Sequence, residues 1–272
     1  MDPLYYNGEL IPTETWTIGP NRLLSENYVY QHLHTFAYRP LHLETHIEIF
    51  KKATRAVFGK EVTPDAKELS EAIEILLKAD RYPAGSNQVT AYIFPQGLQG
   101  EGVPTLLLEA TAQLFYPHYR LVYSRPMLDV FCAPHAWSGF PTAASRAASA
   151  CARDAARRSG AEIAVLERPD GTLTHIDDEP LFLVFGKEVA TTPLASGATD
   201  SVLRRLILAA CELEEIPCME IPIKKEMLLQ CDEAFTASTQ GIISLMGYKT
   251  HRYFNLVARK VAARLNDIDL RI

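Results

Sequence analysis

His32 and His34 form a His-x-His pair inside the alternating run YVYQHLHTF of residues 28–36. Two-residue spacing on a strand puts both imidazoles, and Tyr30, on one face. Such a face suits a metal ion or the wall of a pocket. No third ligand lies close by in sequence, so no metal is expected, and Tyr30, His32 and His34 read as pocket lining. Further along, His175 is followed by Asp177, Asp178 and Glu179. This cluster has two readings, a cation site completed by the imidazole or a solvated acidic loop. Gly197, Ala198 and Thr199 stand ahead of an apolar stripe of Val202, Leu203, Leu206, Ile207, Ala210 and Leu213. A helix opening at Ser196–Thr199 presents backbone N–H groups to an anion. Asp200, in its first turn, suits the helix dipole and opposes a bound phosphate. Ser238-Thr239-Gln240-Gly241 is a second short turn with hydroxyl and N–H donors. No lysine occurs between Lys78 and Lys187. Lys187, Lys224, Lys225 and Lys249 read as surface lysines, in a turn, at a helix start and in a polar loop.

The elements that must position these groups follow from periodicity. Tyr5–Leu10 reads as two strands around an Asn7-Gly8 turn. Residues 44–58 form an amphipathic helix with Ile47, Phe50, Ala53 and Val57 inward. Thr63-Pro64 supplies an N-cap and first helical position, ahead of the apolar face Leu69, Ala72, Ile73, Leu76 and Leu77. Residues 87–94 and 105–110 are strands. The alternation changes after the aromatic and polar stretch 113–118, which divides the chain into a small α/β domain (1–117) and a larger domain (118–272). In the latter, residues 119–123 and 127–132 are strands. An alanine-rich helix follows, closed by Gly160, and then strands around the turns Pro169-Asp170-Gly171 and Gly186-Lys187. A last helix over 253–266 carries Phe254, Val257, Val261 and Leu265 on one stripe.

Composition narrows the function classes. The chain is 47% hydrophobic and 22% charged with net charge −6, which is ordinary for a globular protein and opposes nucleic acid or an anionic membrane as partner. Cys132, Cys151, Cys211, Cys218 and Cys231 make no CxxC spacing, so they read as reduced thiols in a cytoplasmic protein. The opening MDPLYYNGELIP has neither a basic region nor a long apolar run, so no signal peptide is expected. No uncharged apolar segment is long enough to span a membrane.

From Gly139 to Thr199 the order is helix, strand, turn, strand, turn and second helix start. It resembles the second half of the fold-type IV pyridoxal-phosphate enzymes, the class IV aminotransferases. These include branched-chain and D-amino-acid aminotransferases and aminodeoxychorismate lyase. Short motifs extend the resemblance over nearly the whole chain: Tyr5-Tyr6-Asn7-Gly8, Asn21-Arg22, His46-Ile47-Glu48-Ile49-Phe50, Trp137-Ser138-Gly139-Phe140, Thr192-Pro193, and Asp232-Glu233-Ala234-Phe235-Thr236 with its following loop. The resemblance implies an α/β (α+β) two-domain fold like that of D-amino-acid aminotransferase, a small N-terminal α/β domain plus a larger pseudo-barrel domain. It also implies a homodimer and pyridoxal phosphate as the family cofactor.

Site positions follow from the same resemblance. The family's catalytic lysine falls on Pro141, or on Thr142 when counted back from Ala152 and Gly160. The arginine that holds the cofactor phosphate falls on Ile49. The glutamate that bonds the pyridine nitrogen falls on His175. Gly197, Ala198 and Thr199 match one phosphate-binding loop, and Ser238 and Thr239 belong to the other. Ser25-Glu26-Asn27 stands where the family has a Gly-Asp-Gly loop. With these replacements no catalytic residue is assigned and no cofactor is expected. The chain is expected to have lost the family's chemistry and to retain the fold, the dimer and at most a small-anion pocket. The alternative is an active pyridoxal-phosphate-dependent aminotransferase or aminodeoxychorismate lyase that uses another lysine: Lys187, Lys224, Lys225 or Lys249.

Overall fold

The computed structural model describes residues 3–16, 25–98, 102–114, 116–133 and 139–270. Asn21-Arg22 and Trp137-Ser138 lie outside the described residues. The chain gathers into two compact units, one holding Met1–Pro117 and one holding His118–Leu270.

Among the described residues, the first unit is a six-stranded sheet with two α-helices. Its strands are β1 (Pro3–Tyr6), β2 (Glu9–Pro12), β3 (Val29–Phe36), β4 (Arg39–Pro40), β5 (Ser86–Phe94) and β6 (Thr105–Leu114), in the order β2-β1-β6-β5-β3-β4. Every pairing is antiparallel. Asn7 (φ 45) and Gly8 (φ 102) take the left-handed conformations that a two-residue hairpin turn requires. Helix α1 (Leu43–Phe58) buries Thr45, His46, Ile49, Phe50, Ala53 and Thr54. Ile47 and Val57, expected inward, are only half-buried. The inward stripe is rotated because polar side chains join it with their own partners. Thr54 Oγ1 donates to the Phe50 carbonyl (2.9 Å), and His46 bonds Gln31 (2.7 Å). Helix α2 (Ala66–Ala79) starts later than Thr63-Pro64 suggests. Its cap is Asp65, whose carboxylate accepts from the N–H groups of Lys67 (2.9 Å) and Glu68 (3.1 Å), satisfying two of the helix's orphan donors.

Among the described residues, the second unit holds two mixed sheets and three α-helices. The first sheet contains β8 (Met127–Cys132), β9 (Ile163–Glu167), β10 (Thr172–Ile176), β11 (Glu179–Pro180), β15 (Ile223–Lys224), β18 (Gly247–Tyr248) and β19 (His251–Arg252). Its order is β11-β10-β9-β8-β18-β19, with β15 also on β10. The second sheet runs β14 (Cys218–Glu220), β13 (Glu188–Thr191), β12 (Phe182–Phe185), β16 (Glu233–Ser238), β17 (Gly241–Ser244) and β7 (Arg120–Leu121).

Helix α3 (Ala143–Ser159) is alanine-rich because it lies close against the sheet. Ala152 and Ala156 pack on Ala133, Ala164 and Leu166, and only small side chains allow that approach. Helix α4 (Val202–Leu213) is capped by Ser201, which accepts from the Arg204 N–H (3.0 Å). The helix therefore does not open at Ser196–Thr199, and Leu213, expected inward, is 59% exposed. Helix α5 (Leu256–Arg264) has its first N–H groups gathered by the Glu233 carboxylate. Its buried residues are Ala258, Val261 and Ala262, with Leu265 just beyond, while Phe254 is 66% exposed and outside the stripe.

Candidate functional site

The lead into α3 is a tightly held corner. Pro141 is buried and Thr142 is fully buried. Thr142 forms a reciprocal cap with Ser145: its Oγ1 accepts from the Ser145 N–H (3.2 Å), and its own N–H donates to Ser145 Oγ (2.7 Å). The threonine hydroxyl is thereby committed to starting the helix. Just before this cap, the Gly139 carbonyl accepts from the Asp200 N–H (3.0 Å). This bond ties the start of α3 to the Gly197–Asp200 loop.

That loop is not the first turn of α4 but the approach to it. The N–H groups of Gly197 and Ala198 donate to the Leu194 and Pro193 carbonyls (3.0 and 3.3 Å). Thr199 is 2% exposed. Asp200, expected to oppose an anion from inside the helix, instead precedes the cap and is neutralised. Arg205 grips its carboxylate with two bonds, Nε to Oδ1 (3.0 Å) and Nη2 to Oδ2 (2.9 Å). Bidentate geometry of this kind is among the stronger charge-assisted contacts.

The acidic trio after His175 is neither a cation site nor wholly solvated. Asp177, at φ 51 in the turn between β10 and β11, is paired with Arg153 of α3. Ser149, also on α3, donates to the Asp177 carbonyl (3.2 Å). Glu179 turns inward and is half-buried. It accepts from the hydroxyl of the α4 cap Ser201 (2.5 Å), while Thr236 of β16 donates to the neighbouring Pro180 carbonyl (3.0 Å). Burial pushes the Glu179 carboxyl up from 4.5 to about 8; the Ser201 bond opposes this and the Asp178 charge adds to it. Burial and the charge of Glu179 likewise raise the Tyr119 phenol. His175 itself is 1% exposed and pairs in register with Pro180.

The remaining candidates are distributed as follows. Ser238 closes its own turn by accepting from the Gln240 N–H (3.2 Å). Gly241 sits at φ +124, where a Cβ would come within 2.0 Å of the Arg120 carbonyl. In the first unit, Ile49 is 1% exposed. Tyr30 is buried among aromatic rings, 5.9 Å from Tyr92. His32 bonds Thr90 (2.8 Å) and His34 bonds Ser86 (2.9 Å). His46 is held neutral at physiological pH, because burial and then the His42 charge lower it to about 3. Among the described residues no three His, Cys, Asp or Glu side chains gather as a metal site. A cavity of about 490 Å³ in the first unit is lined by Tyr5, Asn7, Thr63, Glu68 and Glu71 among others, and contains none of the candidates.

The four candidate lysines lie away from the start of α3 in sequence. Lys224 Nζ donates to the Asp170 carbonyl (2.8 Å) and to Thr172 Oγ1 (3.0 Å) at the Asp-Gly turn. Lys249 lies 5.3 Å from the Tyr248 ring centroid. Lys225 opens a short 3-10 helix, and Lys187 is exposed between β12 and β13.

The model of the amino-transferase class IV family matches residues 29–245, most of the chain, and the protein belongs to that family. Solved structures share its fold. One is a branched-chain aminotransferase from the thermophilic archaeon Thermoproteus uzoniensis, with norvaline, at 18% identity and TM-score 0.79, covering 97% of this chain and 93% of that chain. Another is the Escherichia coli branched-chain amino acid aminotransferase, at 16% identity and TM-score 0.78, covering 98% and 94%. A third is a hypothetical aminotransferase from Mycobacterium tuberculosis in an α-ketoglutarate- and PMP-bound form, at 11% identity and TM-score 0.80, covering 97% of each chain. No curated protein matches the sequence.

Sequence reasoning missed Arg205 and Ser201 as partners of these groups, and it placed Glu179 only in an acidic trio with two readings. The run Asp200-Ser201-Val202-Leu203-Arg204-Arg205 contained the signal. A serine directly before the apolar stripe is a better cap than Thr199, and that shift puts Asp200 and Arg205 on the same end of α4.

Proposed function

We propose that this chain is a class IV aminotransferase family member that no longer makes lysine-bound pyridoxal phosphate and keeps at most a small-anion pocket. The observation that carries this reading is the lead into α3. Pro141 and Thr142 stand there, in a stretch with no lysine between Lys78 and Lys187. The family's lysine holds the cofactor as a Schiff base and moves the substrate proton. Proline has no amine, and the threonine hydroxyl is spent on its helix cap.

The other positions fit the cofactor no better. Ile49 is a buried hydrocarbon where a phosphate needs a guanidinium. His175 offers one lone pair or one proton and not the carboxylate charge that favours a pyridinium. No step through pyridoxal phosphate is therefore derived for this chain. What remains is Thr199, with Ser238 and Thr239, as hydroxyl and N–H donors to a small anion such as phosphate. Because Arg205 neutralises Asp200, the loop adds neither strong repulsion nor net attraction, and binding is weak. A cytoplasmic homodimer completes the reading.

The alternative, an active aminotransferase or aminodeoxychorismate lyase, has its best candidate in Lys224, because β15 pairs with the strand of His175. That ammonium is already held at the Asp-Gly turn, which favours the first reading. Adding pyridoxal phosphate to the purified protein and recording its visible spectrum tests the choice. The expected result is the spectrum of free cofactor alone. Placing lysine at position 141 or 142 alone should restore little activity, because Ile49 and His175 remain. A saturable new absorbance band in the unaltered protein supports the active enzyme instead.

A further inference from the structure

Cys211 lies in the last turn of α4, and Cys218 opens β14. The helix end packs on that strand. The connection between them is pinned at both ends. The Ile216 N–H donates to the Cys211 carbonyl (2.8 Å), and the Val189 N–H donates to the Pro217 carbonyl (2.8 Å). Cys218 is then fixed in register beside Val189. Cys211 follows Arg204 by seven residues on one face of α4, and Cys218 precedes Glu220 by two on one face of β14, so the two side chains face each other beside the Arg204–Glu220 contact. Both thiols are free; Cys211 is buried and Cys218 is partly open to solvent. Arg204, 2% exposed, lies on the same helix and is paired with Glu220 of β14 (2.6 Å), so a cation flanks the pair.

We infer that Cys211 and Cys218 form a dithiol–disulfide pair, a modification site whose co-substrate is a small disulfide of the oxidised-glutathione type. Access assigns the roles. Cys218 is the thiol a small disulfide can reach. Its neighbour Cys211, and more weakly the Arg204 charge, hold its thiol below the ordinary value against the effects of burial and Glu220. The thiolate is the attacking form. Cys211 is buried, and its neighbour Cys218 together with that burial raises its thiol, so it resolves rather than initiates.

Cys218 releases its proton to solvent, and its thiolate attacks one sulfur of the small disulfide. The S–S bond breaks, one small thiolate leaves, and a mixed disulfide remains on Cys218. The departing thiolate takes the Cys211 proton. Cys211 sulfur then attacks Cys218 sulfur and expels the second small thiolate, which is protonated from solvent. Two protein thiols are oxidised to one disulfide, and one small disulfide is reduced to two thiols. The absence of CxxC spacing hid this pair: a helix end and a strand start bring it together.

The full chain, folded and equilibrated in glutathione buffers of graded oxidised-to-reduced ratio, tests the pair. After an acid quench and alkylation under denaturing conditions, one tryptic peptide, residues 206–224, carries both cysteines. The expected product is that peptide without alkyl groups and lighter by two hydrogens. Its fraction should exceed the glutathione adducts on exposed Cys132 or Cys151 by about tenfold at the same ratio. In Cys211→Ser, glutathione should stay on Cys218; in Cys218→Ser, Cys211 should remain unmodified. If Cys211→Ser does not fold, the unaltered protein and Cys218→Ser still decide. Full alkylation of both cysteines at every ratio overturns the inference, as does glutathione persisting on Cys218 of the unaltered protein.

Discussion

Replacing Glu179 with glutamine should remove a loss of stability that the native protein suffers as pH rises. The folded carboxyl titrates at about 8 and its ordinary value is 4.5. Between those values the folded chain holds a proton that the unfolded chain has released. Unfolding then sheds a proton, so stability falls as pH climbs through this window and levels off above the folded value. At roughly 1.4 kcal/mol per pH unit, the gap sets an upper bound of ~5 kcal/mol. The carboxyl is half-buried and keeps some hydration, so about 2–3 kcal/mol is the working figure. Glutamine preserves the shape and an oxygen to accept from Ser201, and it carries no charge at any pH. Urea unfolding of both proteins, from about pH 5 to about pH 9, isolates the residue, because all other groups titrate alike in the pair. The variant should gain on the native protein up to about pH 8 and hold level above it. A difference that stays flat refutes the buried, neutral Glu179 and the account of how Ser201 and β11 meet.

Other perturbations have equally definite outcomes. Arg205→Gln strands the Asp200 carboxylate, 6% exposed, and should cost ~2–3 kcal/mol in the same urea assay; adding Asp200→Asn should restore most of it. Gly241→Ala drives a Cβ to within 2.0 Å of the Arg120 carbonyl at φ +124. A loss of about 2–4 kcal/mol, or failure to accumulate folded protein, is expected by thermal melting.

Much of the fold was legible because the decisive signals were local. The Asn7-Gly8 turn, the alanine run closed by Gly160 (φ 81), and the apolar face of α2 each follow from spacing and turn chemistry. Errors arose where a polar side chain took a structural role. The inward stripe of α1 includes His46 and Thr54 because Gln31 and the Phe50 carbonyl satisfy them, and hydrophobicity alone cannot reveal that. The start of α4 was misplaced because Thr199, Asp200 and Ser201 are all acceptable caps. Ser201 stands directly before the apolar stripe, and the bonds of Asp200 to Gly139 and Arg205 hold Asp200 outside the helix. The inward turn of Glu179 is invisible in an acidic triplet, since its partner Ser201 lies across the fold.

The most direct test of the central claim is borohydride trapping. The protein is saturated with pyridoxal phosphate, reduced, digested and mapped by mass spectrometry. The account predicts no stoichiometric adduct on any single lysine, only sparse labelling spread over exposed amines. One cofactor per chain fixed on one peptide, at Lys187, Lys224, Lys225 or Lys249, contradicts it and makes the chain a working pyridoxal-phosphate enzyme.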